Sequence, residues 1–118
     1  MIGFANLTSD FAKIGEFDDG KAPGCVPISA LAHYPSEGGL DLRVFWCNQE
    51  NEIVERKNNN GWGPIELVVE GLRPGCHLAA TQWDNGKHIR VYFQTPGNDV
   101  LEMCYSGWFR GATVGKAC

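Results

Sequence analysis

The chain contains the same stretch twice, and a tandem repeat limits its fold more than any single motif does. Leu42-Arg43-Val44-Phe45-Trp46 corresponds to Ile89-Arg90-Val91-Tyr92-Phe93, Ile53-Val54-Glu55 to Val100-Leu101-Glu102, and Gly61-Trp62 to Gly107-Trp108, at offsets of 47, 47 and 46 residues. Upstream, Pro23-Gly24-Cys25 with Ile28-Ser29-Ala30-Leu31-Ala32-His33-Tyr34 corresponds to Pro74-Gly75-Cys76 with Leu78-Ala79-Ala80-Thr81-Gln82-Trp83. Turn signals divide each copy into four short apolar segments. They are Ser36-Glu37-Gly38-Gly39 or Asp84-Asn85-Gly86, then Cys47-Asn48-Gln49-Glu50 or Thr95-Pro96-Gly97-Asn98, then Asn59-Asn60-Gly61 or Ser106-Gly107. The pattern predicts an all-β chain of two four-stranded antiparallel meanders.

A repeat of about 45 residues holding four strands is the unit of a β-propeller, whose blades pack face to face around an axis. The expected boundaries are an N-terminal arm at residues 1–20, a first blade at 21–71 and a second at 72–118. Two blades cannot close a circle, and each is too small to bury much core alone. The expectation is therefore self-assembly through identical heterologous interfaces, with three chains supplying six blades. Phe11-Ala12-Lys13-Ile14-Gly15-Glu16-Phe17 loosely resembles the last strand of a blade, Trp62-Gly63-Pro64-Ile65-Glu66-Leu67, so the arm reads either as an added edge strand or as a reach toward a neighbouring subunit.

Ten Lys plus Arg against 14 Asp plus Glu give a net charge of −4, which opposes nucleic acid as a partner. Neutral ligands fit better. Met1 to Gly15 carries Asp10 and no long apolar core, so neither a secretory signal nor membrane insertion is expected. A cytoplasmic location follows from that reading, with unconventional secretion left open. The five cysteines, Cys25, Cys47, Cys76, Cys104 and Cys118, include no C-x-x-C pair and read as buried free thiols. His33, His77 and His88 fall at unrelated repeat positions, so neither a metal nor another cofactor is expected.

The candidate chemistry lies on the second and third strands of each copy. Alternation puts Arg43 on the face opposite Leu42 and Val44, and Arg90 opposite Ile89 and Val91. A Glu follows each Arg by 12 residues across a short turn, which brings Arg43 near Glu55 and Arg90 near Glu102 in a hairpin. Such a pair offers fixed donors and acceptors to the vicinal hydroxyls of a sugar, with Trp62 and Trp108 available as aromatic faces. An Arg–Glu pair across two strands is also an ordinary structural feature, and repetition alone does not separate a shared site from a shared scaffold. Tyr34 and Trp83, at the ends of the first strands, read equally as inter-blade packing or as ligand contacts.

The segments Ile89-Arg90-Val91-Tyr92, Leu101-Glu102-Met103-Cys104-Tyr105 and Gly107-Trp108-Phe109-Arg110-Gly111-Ala112 resemble the blade repeat of fungal fruit-body fucose-specific lectins and of the short two-repeat bacterial fucose lectins. Leu42-Arg43-Val44-Phe45, Glu55-Arg56 and Gly61-Trp62 form a more diverged second copy. The resemblance covers about residues 26 to 114. It implies a six-bladed propeller completed by trimerisation, with fucose held between adjacent blades and fucosylated glycans as partners. It further implies an intrachain pocket of Arg43, Glu55, Ile89, Tyr105 and Trp108, and an interchain pocket of Arg90 and Glu102 with Leu42 and Trp62 of the next protomer. The copies differ in ways that imply unequal pockets: Asn58 stands where the second has Tyr105, and Pro64-Ile65-Glu66 stands where the second has Gly111-Ala112.

Two rival functions are compatible with such a repeat. A glycosidase built on Glu55 and Glu102 is disfavoured, because equivalent positions in successive blades stand apart and each Glu sits beside an Arg that lowers its pKa. No enzymatic activity is expected. The alternative reading is a propeller that binds proteins, with the Arg–Glu pairs stiffening its blades.

Overall fold

The computed structural model describes residues 27–34, 39–74, 77–105 and 107–116. The expected arm at residues 1–20, the Pro23-Gly24-Cys25 segment, most of the first turn, Gly75, Cys76, Ser106 and Cys118 lie outside the described residues. Eight strands follow in order: β1 Ile28–His33, β2 Asp41–Cys47, β3 Ile53–Asn58, β4 Glu66–Val69, β5 Leu78–Trp83, β6 His88–Gln94, β7 Asp99–Tyr105 and β8 Phe109–Lys116. They form two antiparallel meanders, β1-β2-β3-β4 and β5-β6-β7-β8. This is the predicted architecture of two blades.

The turns arise from residues that tolerate the left-handed backbone region. Asn51, Asn60, Asp84, Asn85 and Asn98 all take φ between 53° and 66°. The Asn48 side chain accepts from the amides of Glu50 and Glu52 at 3.1 and 2.9 Å, closing the β2–β3 turn. Thr95 does the same work in the second blade, its hydroxyl accepting from the Asp99 amide at 3.2 Å.

Register repeats along with sequence. Ile28 opposes Trp46 and Phe45 opposes Glu55 in the first sheet, as Leu78 opposes Phe93 and Tyr92 opposes Glu102 in the second. Burial, however, is in opposite phase. In β2 the inner side is Arg43, Phe45 and Cys47, whereas in β6 it is Ile89, Val91 and Phe93; β1 and β5 show the same inversion. Equivalent sheets stacked by one repeat step present opposite faces to each other, so the core forms between them. It comprises Phe45, Cys47, Ile53, Val68 and Leu72 from the first half against Ile89, Val91, Phe93, Leu101 and Met103 from the second. Burial of these side chains is the main source of cohesion, at about 1.5–3 kcal/mol for each large one.

The first strands of the two blades lie side by side. The Ala80 amide donates to the Ser29 hydroxyl at 3.1 Å, and the Gln82 amide group to the Ala32 carbonyl at 3.3 Å. At the end of the seam, the β5–β6 turn seats on β1: the Tyr34 amide donates to Asn85 Oδ1 at 2.9 Å, and the Asn85 side chain donates back to the Tyr34 carbonyl. Gly86, at φ 84°, comes so close to the His33 ring that a Cβ there would overlap it. Cys47 and Cys104 are both buried.

Candidate functional site

Alternation sends Arg43, Phe45, Glu55 and Lys57 to one face of the first blade, the face covered by the second blade. Arg43 has Lys57 as its direct cross-strand neighbour and Glu55 on the diagonal, a separation that a long guanidinium side chain spans. Arg43 donates to Glu55 Oε2 at 2.8 Å, with both side chains buried. Burial opposes the Arg43 charge, but the bond and charge of Glu55, with Tyr105 adding to them, hold its pKa above the ordinary value. The Arg43 guanidinium is thereby held in its charged form.

The second blade supplies the other wall. Tyr105 lies against the guanidinium, 4.4 Å from ring centroid to Cζ. Trp108 meets Tyr105 edge-on at 5.3 Å and Phe45 edge-on at 5.8 Å. Between these walls runs a cleft of about 240 Å³ lined by Glu55, Lys57, Glu66, Leu67, Tyr105, Gly107 and Trp108. Arg43 reaches this lining through its bond to Glu55, and its own Nε is buried without a hydrogen-bond partner. A buried N–H without an acceptor costs about 1–3 kcal/mol.

The structure thus brings Arg43, Glu55, Tyr105 and Trp108 together at one seam. Ile89 is placed differently. It is wholly buried in the inter-blade core, opposite Tyr105 in register, and supports the cleft from behind. Sequence reading overlooked Lys57 in the lining, whereas Glu66 belongs to the Pro64-Ile65-Glu66 stretch that already set the two copies apart. Alternation carries the signal for Lys57, two residues beyond Glu55. Register sets Glu66 directly opposite Glu55 on β4.

Arg90 and Glu102 occupy the same repeat positions on the open face of the second blade. Here Arg90 Nε is 3.6 Å from Glu102 Oε2, and the tighter partner of that carboxylate is the Tyr92 hydroxyl at 2.9 Å. The Ala112 amide adds a bond at 3.1 Å. That amide first, and the Tyr92 hydroxyl next, hold the Glu102 pKa below its ordinary value. Arg90 also lies over the Trp83 ring at 4.9 Å, and Trp83 stacks on His88. Leu42 is on the outer face of the first blade, away from this pair, and Trp62 bridges to Asn58 next to that face. Within one chain, then, these four residues do not converge.

Among the described residues no group of His, Cys, Asp and Glu gathers as a metal site. The paired charges and aromatic walls suit a neutral polar ligand with hydroxyl groups and an apolar flank.

A sequence model of the family described as fungal fucose-specific lectin matches residues 16–117. The chain belongs to this family. A fucose-specific lectin of Aspergillus oryzae is 37% identical over 79 residues, covering 63% of this chain and 25% of that protein. The lectin match therefore spans about a quarter of the relative's length. Weaker similarity, 26% over 117 residues, links 99% of this chain to 13% of an alanine–tRNA ligase of Mycolicibacterium smegmatis. Among solved structures, AofleA from Arthrobotrys oligospora superposes with a TM-score of 0.62 at 25% identity, over 88% of this chain and 32% of that one. Two blades of a fungal fucose-specific lectin family member thus account for the repeat, the meanders and the seam between them.

Proposed function

We propose that the chain is a fucose-binding lectin subunit that recognises fucosylated glycans without catalysis, working as a homotrimer with six blades. The observation that carries the binding reading is the seam cleft, in which Glu55, held by the buried Arg43, shares the lining with Tyr105 and Trp108. In this mechanism the guanidinium donates to sugar hydroxyls, Glu55 accepts from them, and the aromatic rings shelter the apolar edge of the ring from water. Fucose suits such a site because it joins vicinal hydroxyls to a methyl group. The relatives named for fucose support that choice.

Ring closure rests on the inverted burial of the two blades. In the second blade Arg90, Tyr92 and Glu102 stay partly exposed on the face whose counterpart in the first is core. On the matching outer face of the first blade Ile28 is exposed and Val44 half-buried, while Trp46 and Val54 are buried. Stacking another chain by the same step would set Arg90 and Glu102 against Leu42 and Trp62 of the next protomer. The interchain pockets then exist only in the assembly, and several weak sites on one ring yield avidity.

Calorimetric titration with L-fucose tests this, with mass measured by sedimentation and folding by circular dichroism. Saturable binding that Arg90→Ala reduces by about half, in a folded trimer, is expected for two pocket classes per chain. No heat at millimolar sugar from a folded trimer would sink the fucose reading and leave the ring standing.

A further inference from the structure

The two pocket classes of the proposed lectin carry different rims. Facing Arg43 across the β2–β3 ladder is Lys57, whereas facing Arg90 across β6–β7 is Cys104. Glu66 opposes Glu55 on β4, whereas the residue at the matching place, Ala112, offers Glu102 only its backbone amide. Both charged residues at the first rim line the cleft together with Tyr105 and Trp108.

Lys57 Nζ lies 3.4 Å from Glu66 Oε1, with the side chains 40% and 50% exposed. A half-exposed pair of this kind contributes about 0–1 kcal/mol to stability, so folding alone gives it little reason to be there. It retains most of its hydrogen-bonding capacity, since an ammonium carries three donors and a carboxylate about four acceptor sites. The pair stands above the buried Arg43–Glu55 floor, at the mouth, where the remainder of a larger glycan must leave the cleft. Being of opposite charge, it suits hydroxyls rather than an anionic group, which Glu66 would repel.

We infer that Lys57 and Glu66 form a second subsite that contacts the neutral sugar to which a terminal fucose is linked, and that the interchain pocket lacks it. The two classes then differ in selectivity: the intrachain pocket prefers the oligosaccharide, and the interchain pocket reads fucose alone. This inference rests on the fucose reading above.

The test uses the full chain carrying Arg90→Ala, so that the intrachain pocket dominates the signal. Methyl α-L-fucoside and a neutral fucosylated trisaccharide are titrated by calorimetry. The trisaccharide is expected to bind about tenfold more tightly, as one or two hydrogen bonds to charged groups provide. Adding Lys57→Ala and Glu66→Ala brings the affinity ratio close to one. A ratio that survives those substitutions, or near-equal binding before they are made, overturns the subsite while keeping the fucose pocket. Absence of heat with the fucoside from the otherwise unaltered protein overturns the fucose reading itself, and the subsite with it.

Discussion

Glu55 and Glu102 occupy one repeat position, yet they sit in different surroundings. Glu55 is buried against Arg43, whereas Glu102 is partly open and shared between Tyr92, the Ala112 amide and a more distant Arg90. Glu55→Ala strands a buried guanidinium and is expected to destabilise the fold by about 3–5 kcal/mol, read from the urea midpoint; Glu102→Ala should cost distinctly less. The Tyr92–Glu102 bond has its own pH signature. Glu102 is lowered in the fold, so its contribution is complete above the ordinary Glu value of about 4.3 and is lost as pH falls through the lowered folded value. Tyr92 is raised, by burial first and by Glu102 next, so its contribution is complete below about 10 and is lost as pH rises through the raised folded value. Denaturation midpoints across pH for the native chain and Tyr92→Phe should differ most between these limits and converge outside them. Adjacency of Arg and Glu was readable at this scale because strand alternation is local. The Tyr92 bond was not, since hydroxyl, amide and guanidinium compete for one carboxylate only after β8 is in place.

Blade-to-blade docking is decided at the level of strands and turns. Asp84-Asn85-Gly86 reads from sequence as a turn and nothing more. In the fold it also bridges the blades, binding the Tyr34 backbone and covering His33. Gly86→Ala meets two obstacles, a positive φ and the imidazole, and should cost at least about 1–3 kcal/mol. Pairing it with His33→Ala in a double-mutant cycle should recover part of that loss, because the steric share vanishes with the ring. Strictly additive effects would show that strain within the turn is the whole cost. Tyr34 contributes backbone bonds to the seam, while Trp83, 47% exposed, lies between His88 and Arg90 on the open face.

For the molecule as a whole, the outer blade faces matter most. Ile28 and Val44 lie on the outer face of the first blade; their repeat counterparts, Leu78 and Val91, pack in the core of the pair. If trimerisation repeats the internal seam, Ile28→Glu and Val44→Glu should shift the protein to monomer in sedimentation. Fucose stoichiometry should then fall from about two to about one per chain, since only the intrachain pocket outlives the interface. An unchanged trimer would argue against that stacking. Repeat spacing, turn residues and two-residue alternation determined the strands, their order and the Arg–Glu neighbours, because each depends on short stretches of chain. Which face of each blade is inner, the complete burial of Ile89 behind the cleft and the placing of Lys57 and Glu66 at its rim were decided by tertiary structure. Those features depend on how one sheet lies against another, and two nearly identical strands can bury opposite sides.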